Sequence, residues 1–193
     1  MLVRVLVCSF YTKSYEDDAA KLKASLEELC VPHRVVPVTL SDTSWKAAVC
    51  HKIPFIAQEL CALSAEFDGL VWTDADSILR RPMPVEQLEA CDFGMARFAW
   101  SKAHTPELLS GTMFFRRCPV VYSFVNEWLK VLPKYRHTDT PEQRSVEEVL
   151  EKFKDRLKFE TLSTEWCSIF DAPHAKGHRA VFSHFQSSRT KRR

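Results

Sequence analysis

Glycine is scarce in this 193-residue chain, where only Gly69, Gly94, Gly111 and Gly177 occur. No two lie close together, which excludes both Gly-x-Gly-x-x-Gly and the P-loop pattern, since each uses several glycines to bring backbone amides against phosphate. Phosphate recognition, if it occurs, has to use a metal ion and cationic side chains instead. The seven cysteines contain no Cys-x-x-Cys pair. Their odd count and wide scatter argue against a disulfide framework and a zinc site, and leave reduced core residues as the reading. No run approaches the ~20 apolar residues that span a bilayer. The opening segment, interrupted by Arg4, reads as a strand and not as a signal peptide. A cytoplasmic location is the expectation from these absences. An excess of one charge is missing too: 27 basic against 25 acidic residues leave +2, so composition does not demand a nucleic-acid partner.

Apolar material is plentiful, with 46% hydrophobic residues, 13 Phe and 5 Trp, enough for one full core. The expected arrangement is a single domain over residues 1–186 and a basic tail, 187–193, containing Arg189, Lys191, Arg192 and Arg193. Such a tail is normally solvated, with contact to a polyanion as the alternative. Leu2–Cys8 and Val35–Leu40 read as strands, with a helix between them that Ser14 can cap. Trp45–Leu63 is helical in pattern with a break expected before Pro54, and Leu70–Trp72 is a short apolar strand introduced by Gly69. Pro84–Ala90 suggests a short helix, while Asp92–Phe98 and Thr112–Phe115 suggest strands. Pro119–Leu132 has helical spacing of Val121, Phe124, Val125 and Trp128. Thr140-Pro141-Glu142-Gln143 has the form of a capping box with Pro at the first helical position. Short strands near Phe159–Leu162 and Ala180–Phe185 finish an α/β alternation that implies a mostly parallel central sheet flanked by helices.

The chemistry concentrates at Asp74-Ala75-Asp76. The pair follows an apolar strand at its carboxyl end, the edge where open α/β sheets bind ligands. Residues two apart along an extended chain project to the same side. Both carboxylates can then reach one hard cation, Mg²⁺ or Mn²⁺, and leave positions for water and phosphate oxygens. The plain alternative is a solvated turn.

Val71-Trp72-Thr73-Asp74-Ala75-Asp76 resembles the Asp-x-Asp motif of small GT-A-fold glycosyltransferases of the bacteriophage and bacterial type, and other segments follow in the same order. The resemblance implies a single Rossmann-like domain that uses a nucleotide-diphosphate sugar, a UDP-sugar first, with Mn²⁺ or Mg²⁺. Phe10-Tyr11 resembles the position that meets the nucleotide base, with Tyr15 nearby. Trp45 and Lys52-Ile53-Pro54-Phe55-Ile56 resemble elements found before the acidic motif. Gly111–Phe115 resembles the strand beside the acceptor. His184-Phe185-Gln186-Ser187-Ser188-Arg189 resembles the closing segment, in which a His completes the metal shell. The implied metal ligands are Asp74, Asp76 and His184. The implied donor contacts are Phe10, Tyr11, Tyr15, Trp45, Lys52, Thr73, Asp74, Ser188 and Arg189, with Lys52 and Arg189 neutralising the diphosphate. The resemblance also implies Asp76 as a catalytic residue that contacts the sugar.

An inverting mechanism needs a carboxylate base on the acceptor side, for which Glu142 stands first, with Glu165 and Asp171 behind it; a retaining one needs none. An acid in the first turn of a helix also complements the dipole without any catalytic role. The acceptor that the resemblance implies is a hydroxyl on a small molecule, a glycan or a hydroxymethylated DNA base. Two other readings stand beside this one. One is a haloacid-dehalogenase-like phosphatase with Asp74 as nucleophile and Asp76 as acid/base. The other is a nucleic-acid-binding module using the basic tail.

Overall fold

The computed structural model describes residues 3–99, 105–172 and 179–187. The chain forms a six-stranded sheet of β1 (Val5–Tyr11), β2 (His33–Pro37), β3 (Gly69–Thr73), β5 (Phe93–Phe98), β6 (Glu107–Arg116) and β7 (Phe159–Leu162). Their spatial order is β2-β1-β3-β6-β5-β7. Five strands run one way and β6 runs against them, which gives the mostly parallel sheet expected. A second, three-stranded sheet of β4 (Ser77–Leu79), β8 (Ser168–Ile169) and β9 (Phe182–His184), in the order β4-β9-β8, was not legible in the sequence. Two of its strands are too short to show a period.

Alternation along the strands builds two cores. On β1, Cys8 and Phe10 join the cluster under α2 (Trp45–Ala62), α3 (Pro119–Val131) and α4 (Pro141–Phe153). Val5 and Val7 face the other way, toward α1 (Glu16–Glu28) and the small sheet. β3 lies between β1 and β6 and is buried along its whole length. That explains why its sequence is apolar without alternation.

Several local expectations change. Ser14 does not cap α1: residues Lys13–Tyr15 form a 3₁₀ turn and Tyr15 holds the cap position. α2 runs through Pro54 without a break. A proline inside a helix costs roughly 3 kcal/mol, but Ile53, Phe55, Ile56 and Leu60 are all buried on this helix, and burial stabilises by about 1.5–3 kcal/mol for each such side chain. Ser44 caps its start by accepting a hydrogen bond from Ala47 N–H at 3.1 Å. The expected capping box at α4 does not form, because Thr140 makes no side-chain cap bond and Gln143, which would close the box, donates its side-chain amide to Leu108 C=O instead. Pro84–Ala90 is reduced to a 3₁₀ turn over Val85–Leu88. No helix among the described residues is long and apolar enough to cross a membrane.

Candidate active site

The carboxyl end of β3 opens into a cavity of about 450 Å³. β3 ends at Thr73, and Asp74 N–H then donates to Gly111 C=O on β6 at 2.9 Å. A sharp turn follows, closed by Ser77 N–H donating to Asp74 C=O at 3.1 Å. This turn presents both aspartates to the cavity. Opposite them, β6 departs from regular pairing. Its register with β5 jumps from Met95↔Met113 to Ala96↔Leu109, so residues 110–112 bulge out of that ladder. Bulges re-aim side chains beside functional sites, and here the bulge brings Ser110 and Gly111 to the cavity wall.

His184, at the end of β9, completes a group with Asp74 and Asp76. One ligand-capable atom of each lies within 4.8 Å of the others. The imidazole is buried, and burial pulls its pKa down to about 4 against the attraction of Asp74. It is therefore neutral at pH 7, the form that coordinates metals. Beyond it, Gln186 adopts a left-handed backbone with φ 54°. The chain turns there, and Ser187 N–H donates to Asp76 Oδ2 at 2.8 Å. Burial, followed by repulsion from Asp74, raises the Asp76 pKa to about 6 in spite of that bond.

Lys52 is buried in α2 beneath the pair. Its Nζ lies 2.8 Å from Asp74 Oδ1, and it donates to Ser110 C=O at 3.2 Å and Ser110 Oγ at 3.4 Å. An ammonium has three N–H groups, so these three acceptors commit it. Lys52 therefore holds Asp74, where the sequence had suggested a diphosphate contact. Burial disfavours its charge, but Asp74 and Glu142 more than offset this and hold its pKa above the ordinary lysine value. Trp72 Nε1–H adds a second bond to Asp74 Oδ1, at 3.1 Å.

Glu142 comes from the first turn of α4 and is only 4% exposed. Its Oε1 accepts from Ser110 Oγ at 2.7 Å and lies 3.7 Å from Lys52 Nζ. Its Oε2 is buried and finds no hydrogen-bond partner among the described residues. Such an atom costs roughly 1–3 kcal/mol.

The cavity collects most of the residues singled out from the sequence: Phe10, Tyr11, Tyr15, Trp45, Lys52, Asp74, Asp76, Glu142 and His184 all line it. Phe10 and Tyr11 do not act as a pair, however. Phe10 packs edge-on against Phe55 and tilted against Trp72 in the core, while Tyr11 lies on the opposite face under Lys23. Thr73 does not line the cavity; it is buried behind it. Glu165 and Asp171, the reserve bases, do not line it either, and Glu165 pairs with Arg81 at 2.6 Å. Ser188, Arg189 and the rest of the basic tail lie outside the described residues. Sequence reading missed Ser110, Cys167, Glu107 and Asp139, all of which line the cavity. For Ser110 and Cys167 no local signal existed. Asp139, just before the helix start at Thr140, was the one with a positional hint.

No protein-family model matches the chain, and no curated protein matches it by sequence. Among solved structures it is similar to a glycosyltransferase involved in the glycosylation of the major capsid of PBCV-1. The two superpose with a TM-score of 0.71 at 15% identity, over 97% of this chain and 96% of that one. The chain shares the fold of that protein. At that identity the likeness concerns the backbone architecture, and the side chains of the cavity have to carry the functional argument.

Proposed function

We propose that the protein is a metal-dependent glycosyltransferase of the GT-A type, taking a nucleotide-diphosphate sugar as donor. The observation that carries this reading is the Asp74, Asp76 and His184 group at the floor of a cavity, at the carboxyl edge of a sheet with a glycosyltransferase's fold. The group fits a divalent cation. Burial first, and the charge of Asp74 second, raise the pKa of Asp76, and a bound cation would offset both. Two oxygen donors and one imidazole leave positions for water and phosphate oxygens. Asp74, Asp76 and His184 would hold Mn²⁺ or Mg²⁺, which when bound supplies Lewis-acid stabilisation of the departing nucleoside diphosphate.

The protein's own groups do the rest. Lys52 and Trp72 fix Asp74 by two bonds to one oxygen, leaving Oδ2 for the site. Tyr11, Tyr15 and Trp45 line the cavity together with Phe10, which supports aromatic contact with a nucleotide base, a uracil first. Ser188 and Arg189, which follow Ser187 in the sequence, stay as the proposed diphosphate contacts. Glu142 is anchored through one oxygen and unpaired at the other, an arrangement that suits a base accepting the proton of an attacking hydroxyl. With Glu142 in that role the reaction inverts. Glu107 and Asp139 also line the cavity, and acidic groups there favour a neutral hydroxyl on a glycan or small molecule over a base within polyanionic DNA.

The phosphatase reading gains no support. Asp74, its nucleophile, is engaged by Lys52 and Trp72, and among the described residues the carboxylate pair is completed by His184 and not by further acids.

Thermal unfolding with UDP, GDP, CDP or ADP, each with Mn²⁺ or with EDTA, tests the proposal. One nucleoside diphosphate should stabilise the protein only when Mn²⁺ is present, and Asp76→Asn should remove the effect. Metal-independent stabilisation, or full stabilisation of the variant, would count against the site.

A further inference from the structure

Four side chains from both sheets meet behind the metal candidates. His184 Nε2 lies 2.9 Å from Thr112 Oγ1. Thr112 Oγ1 lies 3.4 Å from Thr73 Oγ1, its cross-strand neighbour, and Thr73 Oγ1 lies 2.8 Å from Ser77 Oγ. All four residues are buried, three of them completely. Three hydroxyls in file are costly to bury unless they bond one another, and valine would fill the same space without that demand.

The ring's orientation gives the file a purpose. Nε2 points to Thr112, which does not line the cavity, whereas the Cε1–Nδ1 edge faces Gly111, which does. A Cβ built on Gly111 would lie 3.0 Å from Cε1 and 3.1 Å from Nδ1. We infer that Thr112, Thr73 and Ser77 are positioning residues for the metal: their hydroxyls hold the proton of His184 on Nε2, so that the Nδ1 lone pair faces the cavity. Nε2–H donates to Thr112 Oγ1, whose own proton goes to Thr73 Oγ1, and that of Thr73 goes to Ser77 Oγ. Run in reverse, the file would put the ring proton on Nδ1 and leave no lone pair for an ion. A partner on the other ring nitrogen commonly fixes the tautomer of a metal-binding histidine; here neutral hydroxyls take the place of the usual carboxylate or carbonyl. The same file joins β3 and β6 of the large sheet to β4 and β9 of the small one. The turn between β3 and β4 that carries the aspartates and the strand that carries His184 are thereby held in register.

This inference rests on the proposed metal site, and two measurements keep the claims apart. The first is the tautomer of His184 in the metal-free protein, read from its ring ¹⁵N shifts in a long-range ¹H–¹⁵N correlation. The expected pattern has hydrogen on Nε2; hydrogen on Nδ1 overturns the inference, whatever the protein does with metal, and needs no variant. The second is Mn²⁺ alone, titrated by electron paramagnetic resonance. Thr112→Val should weaken binding by about 10- to 100-fold, while Thr112→Ser, which keeps the hydroxyl, should stay within about threefold of the parent. Undiminished binding by Thr112→Val overturns the inference and leaves the metal site standing. If the unmutated protein binds no Mn²⁺, the proposed function fails and the inference falls with it.

Discussion

Lys52 Nζ sits 2.8 Å from Asp74 Oδ1 and 3.7 Å from Glu142 Oε1, a single buried cation between a metal-site carboxylate and the candidate base. The lysine reaches them from α2, and Ser110, in the bulge of β6, accepts its remaining N–H bonds. Charge in this half of the cavity is therefore set by one residue of a helix that the sequence suggested was broken.

Removing that cation should be costly. Lys52→Met leaves Glu142 and the base of Asp74 uncompensated, and breaking a buried pair this way typically costs about 3–5 kcal/mol. The double variant Lys52→Met/Glu142→Gln no longer buries an unpaired charge at 142 and should recover part of the loss. Urea unfolding of the four members of the cycle measures it. Purely additive losses would mean that Lys52 and Glu142 do not share a network.

Asp76 should behave in the opposite way. Its pKa in the fold, about 6, lies above the ordinary 3.8, because of burial and the nearby charge of Asp74. The native state thus holds this proton more tightly than the unfolded chain does. The group's favourable contribution is complete below about pH 4 and is lost as pH rises through about 6. Asp76→Asn should accordingly stabilise the metal-free protein at pH 7.5, by about 1–2 kcal/mol after allowance for solvent, and have little effect at pH 4. Melting curves at both pH values, recorded in EDTA, check this. The same variant should lose stabilisation by Mn²⁺, exchanging function for stability. A destabilised Asp76→Asn at pH 7.5 would contradict the reading.

How much of this was legible beforehand follows from which forces act locally. β3 and the turn at Asp74 were readable because a fully buried strand ending in two acids is a short-range pattern. α3 was readable because Val121, Phe124, Val125 and Trp128 repeat at helical spacing. α2 was misread at Pro54, where burial of flanking apolar residues overrides a local penalty. Phe10 and Tyr11 looked equivalent in sequence, yet strand alternation sends them to opposite faces. Glu142 could be read as a candidate base or as an acid that merely complements the helix dipole, and only the long-range approach of Ser110 shows it turned inward. The buried file of Thr73, Ser77 and Thr112 had no local signature, since it depends on contacts up to 72 residues apart.

Gly111 should tolerate no side chain. A Cβ there would lie 2.9 Å from Cys167 Sγ as well as within about 3 Å of the His184 ring. Overpacking of this kind costs about 1–3 kcal/mol, and the ring is the part that must move. Gly111→Ala should therefore weaken Mn²⁺ binding more than it lowers the melting temperature. Adding Cys167→Ala removes one of the two clashes and should restore part of the affinity. If the single variant binds Mn²⁺ like its parent, the close approach has no role at the metal.

Glu142 separates catalysis from scaffolding. As a base it acts only on the acceptor, so Glu142→Gln, of equal size, should leave Mn²⁺-dependent UDP binding within about twofold while lowering transfer by roughly 10²- to 10⁴-fold, the usual contribution of general base catalysis. A scaffolding role predicts the reverse. Lys52 would lose a counter-charge, Asp74 would be held less firmly, and nucleotide binding would fall together with turnover. Isothermal titration with UDP and Mn²⁺, beside turnover of the donor found by the nucleotide screen, distinguishes the two. Product stereochemistry gives a second readout. A base at Glu142 requires inversion at the anomeric carbon, because the hydroxyl it activates attacks opposite the leaving diphosphate. Retention in the product, seen by ¹H NMR of the new glycoside, would remove Glu142 as the base even if the variant were slow.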